Sequence, residues 1–289
     1  MVDISRQTTG VNLPEELSAE IWGDTVENSA IMQRARRINL PGAGVTVHSI
    51  TGEPVAQWVS ETEAKPVDRH TLESKSITPY KLAVIEPFSD EFRRDLPRLY
   101  SELARRLPFA LAKAFYETVY GTVTAPGANF DQLSSTSTTQ TVDGTDTVQD
   151  LAAAYTAVTA ENGDIDTWIA SPALVGLLIT AQSQVENFNL GSGLQVGSVF
   201  GAPVLKTRAT LPAGPPAILG YAGDFASDAV YGTVEGVQVS ISDQATLTDG
   251  SNTINLWQQN MFAVRAEIEV GFRVTNVDRF VQLNDGTSS

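Results

Sequence analysis

A mixed α+β fold is predicted by three patterns spread along the 289 residues. Between Pro97 and Tyr120, the residues Leu99, Leu103, Leu107, Leu111, Phe115 and Val119 form an apolar stripe at spacing four. That spacing is the mark of one long amphipathic helix. Between Asn260 and Leu283, apolar and polar residues alternate instead. Phe262, Val264, Ala266, Ile268 and Val270 then share one face of a strand. In the middle of the chain two shorter helical patterns flank a strand at Asp166 to Ala170. A chain of this length buries roughly three-quarters of its unfolded surface, in one large domain or two lobes.

The elements follow in order. Residues 1–30 are polar apart from a weak helical stretch at Leu17, Ile21 and Trp22, and a basic cluster comes next at Arg34, Arg36 and Arg37. Leu40-Pro41-Gly42-Ala43-Gly44 is a turn signal, after which Val45 and Val47 alternate with Thr46 and His48 as in a half-buried strand. From Thr51-Gly52-Glu53 to Ser76 the chain is polar, punctuated by proline and poor in core residues. Such an excursion needs a partner surface or remains disordered. Its one large aromatic is Trp58; large aromatics with few apolar neighbours often anchor interfaces, the alternative being that it folds back onto its own lobe.

Tyr80 to Phe88 reads as a strand, and Ser89 followed by Asp90 and Glu91 as a helix start. Pro97 suits the first turn of the long helix, which would run about 36 Å. Pro108 should kink it, and Gly121 should stop it. The Ser/Thr/Gly/Asp-rich stretch Thr122 to Thr145 reads as a surface loop or lobe boundary. Thr147 with Asp150 forms a capping box for a helix carrying Leu151, Ala154, Tyr155 and Val158 and ending at Asn162-Gly163. After the Asp166–Ala170 strand, Ser171-Pro172 opens a second helix through Leu178. A glycine-rich loop at 191–201 leads to a strand at Pro203 to Lys206. Beyond it Val237, Val239 and Ile241 alternate, and Asp249-Gly250 offers a hairpin turn.

Composition narrows the function. Hydrophobic content of 42% and charged content of 18% fit a folded protein, and the absence of cysteine removes disulfide and thiol chemistry. The longest apolar run, Ile169 to Thr180, contains Ser171, Pro172 and Gly176 and is too short to span a bilayer. The opening MVDISRQTTG has no apolar stretch after a basic start, so no secretory signal is expected. The net charge of −15 is uneven. Residues 1–120 carry 14 bases against 17 acids, whereas residues 121–289 carry 5 against 17. So acidic a surface repels phosphate backbones and argues against sequence-specific nucleic-acid binding.

Sites for chemistry are scarce. His48 and His70 sit in no metal-ligand spacing. The run GSGLQVGSVFG lacks a following Gly-Lys-Ser/Thr, and Pro203 obstructs the helix a phosphate loop requires. No G-x-S-x-G occurs. Asp143, Asp146 and Asp150 cluster without calcium-loop spacing and read as solvated acids, with a weak cation site as the alternative. Asp164 and Asp166 could be a glycosidase pair, or two of the 34 acids that fall close by chance. No catalytic residue, cofactor or metal site is expected.

Three segments, in order, carry a family resemblance. They are PVAQWVSETEAKP (Pro54 to Pro66), SVFGAPVLKT leading into LPAGPPAILGYAGDF (Ser198 to Phe225), and NMFAVRAEIEVGFRVTNVDRFVQL (Asn260 to Leu283). Together they resemble the major capsid proteins of tailed double-stranded DNA phages, which have the Hong Kong ninety-seven-type fold. That resemblance implies an N-terminal arm at 1–40 that reaches onto neighbouring subunits and an extended β-hairpin loop at 41–76. It implies a peripheral domain at 77–147 with a spine helix at about 97–120, an axial domain at 148–225, and peripheral strands again at 226–289. It further implies self-assembly into pentamers and hexamers of an icosahedral head, in a virion built in the bacterial host cytoplasm. DNA is enclosed there without sequence-specific binding. A separate scaffolding protein and a portal are the expected partners, with room for a decoration protein and no membrane.

The expected inter-subunit contacts are Trp58, Glu61 and Glu63 in the loop, and Arg98 and Arg105 on the long helix. With Lys113, those two arginines fall opposite the leucine stripe. The alternative there is a solvated basic face with Glu102 pairing locally to Arg98 or Arg105. Two other functions stay open: a nanocompartment shell of the same fold, enclosing protein cargo, and a soluble α/β hydrolase.

Overall fold

The computed structural model describes residues 30–51, 58, 59, 65, 67, 71–90, 96–184, 197–207, 209–250 and 252–287. In chain order, a short helix α1 (Ala30–Arg34) and strand β1 (Arg36–Asn39) precede a ribbon of two strands, β2 (Val45–Thr51) and β3 (Thr71–Ile77). Strand β4 (Tyr80–Ser89) leads to the long helix α2 (Leu96–Val119). Then come β5 (Thr139–Thr141), α3 (Thr147–Ala160), β6 (Thr167–Ala170), α4 (Pro172–Gln184), β7 (Ser198–Val199) and β8 (Ala202–Lys206). Strand β9 (Ile218–Gly223), the single turn α5 (Phe225–Asp228) and β10 (Ala229–Thr233) follow. The chain continues through β11 (Gln238–Ser242), the hairpin β12 (Thr246–Asp249) and β13 (Asn252–Asn255), the long β14 (Met261–Val274) and β15 (Phe280–Asn284).

The alternation read at the end of the chain builds a five-stranded sheet around β14. One edge of β14 pairs with the whole of β4, from Met261↔Ser89 to Val270↔Tyr80. Its other edge is shared by β11 and β10, and β1 adds to β10 in parallel. Phe262, Val264, Ala266, Ile268 and Val270 are all buried, as their period of two requires. Leu107 and Leu111 of α2 pack on the first four. The opposite face is polar: Lys81 lies 3.7 Å from Glu267 and 3.9 Å from Glu269, and Arg265 lies 3.3 Å from Glu267.

A six-stranded sheet has the order β5-β15-β9-β6-β8-β7. Leu151, Ala154 and Val158 of α3 and Leu174 and Leu178 of α4 bury against Trp168, Val204, Ala222, Val281 and Leu283 of this sheet. Between the two sheets sits an aromatic core fed by the last turns of α2. Tyr116, Tyr120 and Tyr221 stack in series with ring centroids 5.5 Å apart at each step, and the Tyr221 hydroxyl donates to the Tyr120 carbonyl at 2.7 Å. Phe115 meets Phe272 edge-on at 6.1 Å, and Phe225 meets Phe280 edge-on at 5.0 Å. One helix therefore supplies the core of the five-stranded sheet with its middle and the inter-sheet core with its end.

Helix α2 is continuous from Leu96 to Val119 through Pro108. Several local expectations are corrected. The α3 cap is Asp146, whose carboxylate accepts from the Gln149 amide at 3.2 Å, while Thr147 is already helical. The cap and its acceptor reach are the same as in the capping box, shifted one residue earlier. Helix α4 runs six residues past Leu178 to Gln184. The stretch 122–145 is not simply a surface loop. Phe130, Leu133 and Val142 are buried there, and β5 joins the six-stranded sheet beside β15. Polar composition concealed three well-spaced apolar anchors.

Candidate assembly surface

The ribbon is the feature that a single subunit does least to explain. Its strands pair antiparallel from Val45↔Ile77 to Thr51↔Thr71. A two-stranded ribbon is marginal by itself in water, so its root must be held. Gly44 makes the entry turn at φ 83°, and a Cβ there would run into the Ile77 carbonyl. Ile77 is buried with Leu40 and Val230. Lys75 donates from Nζ to the carbonyls of Val274 and Thr275, at 3.0 Å each, pinning β3 to the end of β14. Beyond this root, Trp58 is fully exposed, as is most of Val67, and Lys65 is exposed too. A tryptophan left wholly in water is costly unless another surface covers it.

Of the other predicted contact residues, Glu61 and Glu63 lie outside the described residues. Arg98 and Arg105 lie in the first half of α2, with their side chains outside the described residues as well. Lys113, on the same helix, pairs locally with Glu117 at 3.7 Å, and Arg106 reaches Glu86 at 3.5 Å. The basic face of α2 is thus partly neutralised within the subunit. Two further exposed aromatics were not singled out from sequence. Trp257 follows the β12–β13 hairpin, and half-exposed Phe109 sits on α2. Neither carries a sequence signal, because exposure depends on which helix face and which turn the fold leaves uncovered.

Asp143, Asp146, Asp164 and Asp166 each hold part of the fold together. Asp166 accepts from the amides of Phe225 and Ala226 at 3.1 and 2.7 Å, capping α5, and Asp164 accepts from the Tyr155 hydroxyl at 2.9 Å. The backbone thus holds Asp166 and a phenol holds Asp164. Asp143 accepts from the Thr145 amide at 2.8 Å, which holds its carboxyl below the usual range. Asp150 is shifted upward by burial and then by the charges of Asp143 and Asp146. Among the described residues no group of His, Asp and Glu could hold a metal ion.

Two ion pairs fasten the body instead. Asp131 accepts from Arg273 Nη1 at 2.7 Å and from the Val274 amide at 3.0 Å. Buried Asp228 accepts from Arg279 Nη1 at 3.1 Å. Burial pushes the Asp228 carboxyl upward, and Arg279 opposes that shift. No helix among the described residues is long and apolar enough to cross a membrane.

Comparison with known proteins places this geometry. The profile of the Phage capsid family matches residues 9–285. The probable major capsid protein gp17 of Mycobacterium phage L5 is 28% identical over 298 residues, covering 94% of this chain and 89% of that protein. The major capsid protein of Staphylococcus phage 80alpha is 23% identical, covering 94% of this chain and 84% of its own. Among solved structures, a chain from Mycobacterium phage Adephagia superposes with a TM-score of 0.68 at 20% identity, covering 89% of each chain. A capsid chain of an empty GTA particle superposes at 0.64 with 14% identity, covering 91% of this chain and 90% of that one.

Proposed function

The chain belongs to the phage capsid family, and from that premise we propose that it tiles, as pentamers and hexamers, an icosahedral phage head around double-stranded DNA. It is a major capsid protein with the Hong Kong ninety-seven-type fold, a virion component and not an enzyme. The observation that carries the tiling reading is the pinned ribbon ending in a fully exposed Trp58. Lys75 holds its root to the body, and the tryptophan in the connection between its strands is left uncovered, as a contact made on a neighbour must be.

The proposed organisation keeps an arm at 1–40, whose last part, α1 and β1, packs on its own subunit, and the extended loop at 41–76. The peripheral domain comprises 77–147 and 226–289, with α2 and the other four strands of the five-stranded sheet that β1 joins. The axial domain lies at 148–225, and its sheet also receives β5 and β15. Glu61 and Glu63 of one loop meet Arg98 and Arg105 of a neighbour. Each exposed pair contributes only about 0–1 kcal/mol, but a closed shell repeats it many times. Weak single contacts also let misplaced subunits leave before closure. A separate scaffolding protein, a portal and assembly in the host cytoplasm complete the proposal, with a decoration protein as an additional partner. The curated relatives named above are major capsid proteins of phages, which disfavours the nanocompartment and hydrolase readings.

The test is electron microscopy of the purified protein together with analysis of particle contents. Closed shells are expected, and head-sized DNA should survive nuclease inside particles made during infection. Monomers under all assembly conditions, or particles filled only with protein cargo, would reject the proposal. Reversing Glu61 and Glu63 to Lys should impair assembly at low salt, and reversing Arg98 and Arg105 to Glu in the same chain should restore part of it. A combined variant no better than the loop variant alone shows the pairing to be wrong.

A further inference from the structure

Exposed bases without a partner gather on one edge of the subunit body. Arg106, Arg265, Arg273 and Arg279 each hold a carboxylate of their own chain within 3.5 Å, and Lys75 is bound to two carbonyls. Arg34, Arg36 and Lys206 are different. All three are exposed, and none has an ion pair or side-chain hydrogen bond among the described residues. The sequence around them is equally one-sided. Residues 30–52 hold three arginines and residues 187–223 hold Lys206 and Arg208, yet neither stretch contains an acid, in a chain with 34 of them. The fold joins the two stretches. Ala30 and Gln33 of α1 line the same groove as Lys113, Leu205 and Lys206. Arg34 follows Gln33 in α1, and Arg36 opens β1, an edge strand paired only with β10. Lys113 meets Glu117 at 3.7 Å with its side chain 60% exposed, so it adds to the same rim.

We propose that this rim of Arg34, Arg36, Lys113 and Lys206 is a contact surface for the phosphate backbone of duplex DNA, and that it faces the interior of the shell. The inference rests on the DNA enclosure proposed above and adds where the wall touches its contents. At physiological salt, exposed charges more than about 8 Å apart are largely screened. A phosphate at the rim therefore senses these bases rather than the −15 of the whole chain. Separate, solvent-exposed cations without neighbouring acids suit a ligand that carries a regular line of negative charge. Phosphate contacts carry no sequence information, in keeping with enclosure that ignores sequence. A few contacts per subunit, repeated around the shell, hold the outer layer of DNA while each one stays weak enough to break as the duplex slides.

The test compares DNA-filled heads with the same heads emptied by osmotic shock, so that the shell is common to both. A small dicarbonyl modifies accessible arginines, an acylating reagent modifies accessible lysines, and mass spectrometry reads each position. Arg34, Arg36 and Lys206 should react severalfold more slowly in filled heads than in emptied ones. Lys81 and Arg265, on the polar face of the five-stranded sheet, should react equally in both. In heads of the Arg36→Glu/Lys206→Glu variant the protection of Arg34 should shrink, and in Arg36→Lys heads it should persist. Should the reversed variant form no heads, Arg36→Gln takes its place. Equal rates at the three positions before and after emptying overturn the inference. So does protection that survives emptying, which assigns the rim to an acidic protein or a neighbouring subunit. Heads that never contain DNA refute the enclosure reading itself and this inference with it, a result distinct from heads that hold DNA and show no protection.

Discussion

Replacing Lys75 with Met keeps the aliphatic stem and removes only the ammonium that ties the ribbon to the body. The wild-type Nζ makes two hydrogen bonds to the Val274 and Thr275 carbonyls, each 3.0 Å and partly buried. A bond to a charged donor contributes about 1.5–3 kcal/mol. Water can reach the freed carbonyls here, so the pair together is assigned that same range rather than twice it. With tenfold per 1.4 kcal/mol, local opening of the ribbon should increase roughly 10- to 150-fold. Amide hydrogen exchange read by mass spectrometry on dissociated subunits should show this over β3, residues 71–77. Protection in β9 should be unchanged, because that strand lies inside the six-stranded sheet. Unchanged exchange over β3 would refute the pinning role. Equal loss of protection in β9 would show that Lys75 supports the whole fold.

Trp58→Ala should leave the thermal unfolding of dissociated subunits unchanged, since the ring touches nothing within the described chain, while shell yield measured by light scattering falls. A matching drop in subunit melting temperature would instead place the ring in its own core. Leu111→Ala should destabilise the subunit by about 2–5 kcal/mol in urea denaturation, because that side chain is 2% exposed between α2 and β14. Asp228→Asn should flatten the acid-side pH dependence of melting. Burial raises the Asp228 carboxyl above its model-peptide value of 3.8. The protonated form is therefore favoured in the fold, and wild-type stability is lost as pH rises from about that value through the raised one. A variant whose melting curve tracks wild type across this window removes Asp228 as the source.

The parts legible in the sequence were those whose pattern is local and periodic. The leucine stripe of α2 and the alternation in β14 follow from side-chain geometry alone, and Leu107, Leu111, Val264 and Ile268 are buried as that geometry requires. The ribbon was legible as an excursion without a core, yet its anchor was not. Lys75 looks like any surface lysine until β14 ends beside it. Asp131 and Asp228 were likewise hidden, because their partners Arg273 and Arg279 lie more than 50 residues away. The buried Phe130, Leu133 and Val142 were masked by a Ser/Thr/Gly-rich background that normally marks exposed loops. Contact between subunits was legible only as the misfit of Trp58, since a side chain that completes its burial on another copy leaves an unpaid debt in its own.

Strand β14 belongs to the five-stranded sheet and β15 to the six-stranded one, with only Thr275 to Arg279 between them. The same backbone is thus a tendon threaded through both halves of the subunit. Along that short bridge, Arg279 clasps Asp228 at the end of α5, and Lys75 holds the carbonyls of Val274 and Thr275. A tug on the ribbon passes through Lys75 into β14 and, five residues later, into β15. The two sheets are thus tied by two short covalent crossings, β14 to β15 here and β9 to β10 through α5, and the Arg279–Asp228 pair joins one crossing to the other.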